Sequence, residues 1–249
     1  MANTAFCTTL GALFLSGAAW LLPASPALAQ RASASLKPGE YVTEGAWGKL
    51  SLRPGNGRSM LFAIEATGGN LNVCSLDGEV IGGKATLEGV DDKTPCIVTF
   101  SATGEGVSVT SSESSACSDY CGAGAFFEGL YLLPSARCAS PAVATARQSF
   151  KQLYDVRKYA EARAKLEPVL TLCSRTLPRT DEGRIRNDLA VTMHKLNDLS
   201  GCLLVLQPLL DGPKFVEAEL RQNYAPAEAE LMAPIMRAVR TNLKLCGGK

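Results

Sequence analysis

The sequence of 249 residues contains one histidine, His194. A single imidazole cannot supply the ligand sets of most catalytic zinc or iron sites, and it leaves only one histidine to act as a general base. Net charge is equally scarce: 25 Lys+Arg stand against 24 Asp+Glu, for a formal charge of +1. A chain this close to neutral lacks the basic footprint that draws nucleic acid, so nucleic acid is not expected as a partner. The chain also has no Gly-Lys-Ser/Thr phosphate loop, no Gly-x-Ser-x-Gly elbow and no His-Glu-x-x-His helix. Its acidic pairs, Asp91-Asp92 and Asp181-Glu182, read as solvated turn residues. These absences together predict a protein that is not an enzyme and needs no cofactor or metal.

The apolar run at 11–22 is 12 residues long and is closed by Pro23, Ser25 and Pro26. About 20 residues would be needed to cross a bilayer. The run is followed by Ala27-Leu28-Ala29, a small-x-small cleavage signal, so residues 1–29 read as a signal peptide. No Lys or Arg precedes residue 31, and the usual basic start of such a leader is missing. Cleavage after Ala29 predicts a periplasmic or secreted protein with no membrane span.

Nine cysteines are present. Cys7 leaves with the leader, and the even set that remains is Cys74, Cys96, Cys117, Cys121, Cys138, Cys173, Cys202 and Cys246. In an oxidising compartment such a set reads as disulfides, whose connectivity the sequence alone leaves open. Zinc is the competing use of the close pair Cys117 and Cys121.

The mature chain has two unlike halves, 30–141 and 142–249. The first alternates with period 2 and is broken by turn signals such as Pro54-Gly55-Asn56-Gly57, Gly82-Gly83 and Gly104-Glu105-Gly106. Leu50 and Leu52, then Met60, Phe62 and Ile64, then Leu71 and Val73, then Ile97, Val98 and Phe100, then Val107 and Val109 mark short strands. The expectation is a small antiparallel β-barrel or sandwich. In the second half the apolar period becomes 3.6, so the fold class is α+β. Charge divides at the same boundary: 30–141 is net −4 and 142–249 net +5. The halves are able to attract each other or different partners.

The helical half repeats at an offset of 40. Leu166-Glu167-Pro168-Val169-Leu170 returns as Leu206-Gln207-Pro208-Leu209-Leu210, with Leu153 falling on Met193, Tyr159 on Leu199 and Ala162 on Cys202. Two helical hairpins are expected, near 142–173 and 183–211, with a last helix near 228–246. Pro168 and Pro208 should each remove a donor and bend the second helix of their hairpin. With Tyr159-Ala160-Glu161-Ala162 at the turn, the half resembles a tetratricopeptide repeat, although its 40-residue spacing exceeds that family's usual length of about 34. Stacked hairpins put Cys202 and Cys246 on one side, which makes them the preferred pair. Cys173, at the far end of its helix, either joins a cysteine of the strand half or stays free.

His194 sits between apolar positions of a helix, and its counterpart at offset 40 is Tyr154, so it reads as a structural residue. The densest pattern is Cys117-Ser118-Asp119-Tyr120-Cys121, followed by Phe126-Phe127 and Tyr131. These aromatics either fill the barrel end or present Tyr120, Phe126 and Phe127 to a partner. With Gly39-Glu40-Tyr41, the block resembles the cysteine-stapled β-domains of proteobacterial periplasmic proteins that are loosely called lysozyme-inhibitor-like. That resemblance implies an exported protein-binding module whose partner is another envelope or secreted protein. In its most specific form the module inhibits, or gives immunity to, a cell-wall-degrading enzyme such as a muramidase or amidase. A concave helical face made basic by Arg184, Arg186, Lys195, Arg157 and Lys158 would complete the surface. The alternatives are an envelope assembly scaffold without inhibition and an unrecognised envelope hydrolase.

Overall fold

Alternating apolar side chains in the first half build eight strands among the described residues: β1 Gly39–Thr43, β2 Gly48–Pro54, β3 Met60–Thr67, β4 Val73–Val80, β5 Lys84–Leu87, β6 Cys96–Ala102, β7 Gly106–Ser111 and β8 Gly129–Leu132. The computed structural model describes residues 35–68, 71–89, 94–112, 115–210 and 225–247. The expected leader 1–29, Cys7 and the Asp91-Asp92 pair lie outside these residues. The described residues pack as one compact unit.

All eight strands belong to one antiparallel sheet in the order β4-β3-β2-β1-β8-β7-β6-β5. Pairing of Val42 with Leu132 and Thr43 with Tyr131 joins the first strand to the last and curls the sheet into a nearly closed barrel. The sheet's two edges, β4 and β5, meet at a hairpin in which Ile81 and Lys84 exchange backbone hydrogen bonds of 2.8 and 3.2 Å. Gly82 and Gly83 have φ of 60° and 82°, the doubly left-handed turn that glycine adopts without steric cost. Away from this hairpin the seam is covered by the turn Ser115–Tyr120. Cys117 is bonded to Cys96 of β6, and Cys121 to Cys74 of β4. The amide of Gly122 donates to Val73 O at 2.9 Å, and the Tyr120 hydroxyl donates to Glu88 O at 2.7 Å. Cys117 and Cys121 thus belong to two different disulfides and do not form a metal pair.

The interior is filled with side chains that include Leu50, Leu52, Phe62, Ile64, Val98, Phe100, Val109 and Tyr131. Not every apolar residue that marks a strand faces inward. Leu71 precedes β4 and is 46% exposed, and Val73 faces outward. Pairing of Ala66 with Cys74 fixes the register, so Cys74, Leu76 and Val80 point inward instead. Ile97 likewise faces out between the buried Cys96 and Val98.

Among the described residues five α-helices follow: α1 Ser140–Asp155, α2 Tyr159–Cys173, α3 Arg179–Lys195, α4 Leu199–Leu206 and α5 Pro226–Leu245. None is long and apolar enough to cross a membrane. The 40-residue offset reappears in backbone detail. Arg157 and Asn197 turn the chain with φ of 63° and 60°. The amides of Lys158 and Asp198 donate to Leu153 O and Met193 O, each at 2.9 Å. Those of Ala162 and Cys202 donate to Lys158 O and Asp198 O. One prediction about the prolines fails. Pro168 lies inside α2 as expected, whereas Pro208 sits in a 3-10 turn, Gln207–Leu209, after α4 has ended. A ring without an N–H terminated the shorter helix there and did not bend it.

The buried side chains of α1, α2 and α3 pack together around Leu166, Ile185 and Leu189, and those of α3, α4 and α5 around Met193, Leu206, Ile235 and Met236. Cys202 and Cys246 are bonded, as their positions suggested. Cys173 pairs with Cys138 from just before α1, tying the helices to the end of the strand half. Next to that bond, Arg175 contacts Glu105 of the β6–β7 turn at 3.2 Å and Glu44 at 3.6 Å. These exposed pairs follow the opposite net charges of the halves but are screened by water, so they orient the halves more than they stabilise them.

Between α3 and α5, Asn242 Nδ2 donates to Asn187 Oδ1 at 2.8 Å, and Asn187 Nδ2 donates to Gly183 O and Ile235 O. Both amides are buried. Asn242→Ala is expected to leave Asn187 Oδ1 without a donor and to cost about 2 kcal/mol, measured as a lower urea midpoint. An unchanged midpoint would show that water replaces the lost donor.

Candidate functional site

The structure divides between the residues the two roles open to the aromatics of the barrel-end loop, filling the barrel end and facing a partner. Phe127 is 2% exposed and belongs to the barrel core, so it cannot meet a partner. Its carbonyl accepts the Tyr131 hydroxyl at 2.7 Å, and burial raises the pKa of that hydroxyl. Tyr120 is half-buried and held to Glu88, where it closes the seam. Only Phe126 is exposed, with its ring 4.6 Å from that of Trp47.

The expected basic face is also not assembled. Arg186 is largely buried, pairs with Glu182 at 2.7 Å and donates to Val205 O at 3.0 Å, so it links α3 to α4. Arg184 is held by Asp181 at 3.3 Å, and Lys158 by Glu161 at 3.3 Å. Asp181 and Glu182 are therefore engaged with arginines in the first turn of α3 and are not free turn residues. Arg157 and Lys195 are exposed at helix ends. His194 Nδ1 is buried without a hydrogen-bond partner among the described residues. Asp198, the carboxylate nearest in sequence, instead accepts the Gly201 amide at 2.9 Å to cap α4 and pairs with Arg163 of α2 at 2.9 Å. The Gly201 N–H first, and then Arg163, hold its pKa below the ordinary carboxylate value. Nothing here orients His194 as a base.

A cleft of about 550 Å³ opens between α1 and α3. It is lined by Arg147, Lys151, Tyr154 and Asp155 from α1 and by Asp188 and Val191 from α3. The wall is aromatic: Phe150 and Tyr154 lie 5.6 Å apart, and Tyr159 meets Tyr154 edge-on at 5.2 Å. Arg147 reaches Asp181 at 3.0 Å and Lys151 reaches Asp155 at 2.9 Å. The Asp188 carboxylate has no hydrogen bond or ion pair within contact distance among the described residues. Burial raises its pKa above the ordinary value, opposed in part by the charge of Arg147.

Sequence reasoning missed this cleft although a signal was present. At offset 40, Gln148 falls on Asp188 and Lys151 on Val191, so equivalent faces of the two helix pairs form the two walls.

A carboxyl whose pKa is raised on folding binds its proton more tightly in the folded chain, so its presence lowers stability as pH rises through that pKa. Asp188→Asn is therefore expected to raise the melting temperature at pH 7. The advantage should disappear below the usual aspartate range, where both states carry the proton. A melting difference independent of pH would contradict this assignment.

Comparison of the chain with protein-family models, with curated proteins and with solved structures returns no match.

Proposed function

We propose that the chain is an exported protein-binding module of the cell envelope that carries no catalytic activity of its own. On this reading a stapled barrel supports a tetratricopeptide-like helical surface, and the partner is another envelope or secreted protein. The cleft between equivalent faces of the two helix pairs carries the reading, since a groove with one aromatic wall and fixed charges suits a peptide segment or side chain. Four disulfides support an oxidising, non-cytoplasmic compartment, of which the periplasm is the proposed instance. The most specific form is an inhibitor or immunity protein for a muramidase or amidase. Affinity capture from periplasmic extract with the chain from Gln30, followed by an activity assay on the retained protein, tests it. A captured wall enzyme that loses activity supports inhibition, a captured protein with unchanged activity favours an assembly scaffold, and an empty column counts against both.

A hydrolase has one observation in its favour, because Asp155 and Asp188 line the same cleft and burial favours the protonated form of Asp188 that a general acid needs. Turnover of purified peptidoglycan that is lost in Asp188→Asn would establish it. The expected result is no turnover by either protein.

A further inference from the structure

The α1–α3 cleft contains one carboxylate without a direct ion pair or hydrogen bond, Asp188, on which Arg147 acts only through its charge. Its two cations are each engaged, Arg147 with Asp181 and Lys151 with Asp155, while the Asp188 carboxylate on the opposite wall has no partner in contact among the described residues. We propose that this cleft binds a lysine or arginine side chain of a partner protein, with Asp188 as its counter-ion. The proposal rests on the protein-binding reading and adds the chemistry of what is bound.

Charge orders the possible occupants. A cation neutralises Asp188 and lies beside the Phe150 and Tyr154 rings, whose faces attract positive charge. An anion would meet Asp155 and Asp188 while the cleft's cations, Arg147 and Lys151, are already held by Asp181 and Asp155, and a neutral group would leave a half-buried carboxylate without a direct ion pair. Arg147 opposes a cation, but its guanidinium is directed to Asp181. The burial that raises the pKa of Asp188 in the free protein is the cost that an incoming cation offsets.

The test is an NMR titration of the ¹⁵N-labelled chain with capped Gly-Lys-Gly, Gly-Arg-Gly and Gly-Glu-Gly peptides at millimolar concentration. The lysine and arginine peptides are expected to shift amides of α1 and α3 around the cleft, and the glutamate peptide is not. Asp188→Asn should weaken the cationic peptides about tenfold or more. A second readout uses the wild-type protein alone: saturating lysine peptide should lower the titration midpoint of the Asp188 carboxyl. Equal response to the glutamate peptide, no cleft shifts with the cationic ones, or an unmoved midpoint would each overturn the proposal. Repeating the affinity capture with Asp188→Asn separates the two ideas. A partner retained equally by wild type and variant preserves the binding module and removes the cleft's role, while a positive peptide titration with an empty column does the reverse.

Discussion

Replacing Cys74 and Cys121 together by alanine is expected to destabilise the chain by about 4 kcal/mol, the chain-entropy value for a cross-link spanning 47 residues. For a unit of this size that corresponds to a drop of about 10 °C in melting temperature. The effect is concentrated at this bond because of where it lies. The sheet has two edges, β4 and β5, and their hairpin joins them at one end only. Farther along, β4 depends on Cys121 and on the Gly122 amide to hold the covering turn against it. Losing the bond frees that turn as well as the edge, and an unpaired edge strand is a template for association. Thermal melting and light scattering of the double variant would show a lowered midpoint and aggregation. A midpoint within 2 °C of the wild type, allowing about 1 kcal/mol at most, would mean that strand pairing alone closes the barrel.

The second large effect is expected at Tyr131. Its side chain is fully buried, it lies opposite Val107 in β7 and Thr43 in β1, and its hydroxyl donates to Phe127 O. Tyr131→Ala removes a ring from the place where the first and last strands meet and is expected to cost about 4 kcal/mol, as large-to-small aromatic substitutions in cores do. Tyr131→Phe keeps the ring but leaves the Phe127 carbonyl without its donor, and is expected to cost about 1 kcal/mol. The gap between these two costs separates packing from hydrogen bonding. Near-UV circular dichroism should also respond, because Trp47 lies 6.5 Å from this ring and 4.6 Å from Phe126. Equal destabilisation by both variants would show that the hydroxyl, and not the ring, holds the barrel end.

Much of the fold was legible because it is written in local periodicity. Leu50 and Leu52 or Phe62 and Ile64 announce a strand with one face inside, and the 40-residue recurrence around Pro168 and Pro208 announces paired helices. That Leu71, Val73 and Ile97 are exposed was not legible, because an apolar residue does not state which face it occupies. Partner strands decide that through register, as Ala66 does for Cys74. Pro208 was misread for a similar reason, since the motif it shares with Pro168 does not encode where each helix stops. The candidate site was the least legible part. Phe127 and Arg186 have the composition of binding residues, yet one fills the core and the other ties α3 to α4.

By itself, the sequence determined the strand-then-helix order, the turn signals, the 40-residue repeat and the even cysteine set, since each depends on neighbours along the chain; for Cys202 and Cys246 it offered a preferred pair that the fold then made. Tertiary structure decided the rest. Closure of the sheet through β1 and β8 joins residues about 90 positions apart, the Cys74–Cys121 and Cys96–Cys117 bonds cover the seam that this closure leaves, and the cleft exists only because α1 and α3 expose equivalent faces to each other. Long-range juxtaposition leaves no periodic trace in the chain, which is why Asp188 emerged as a carboxylate without a direct ion pair only once the helices were in place.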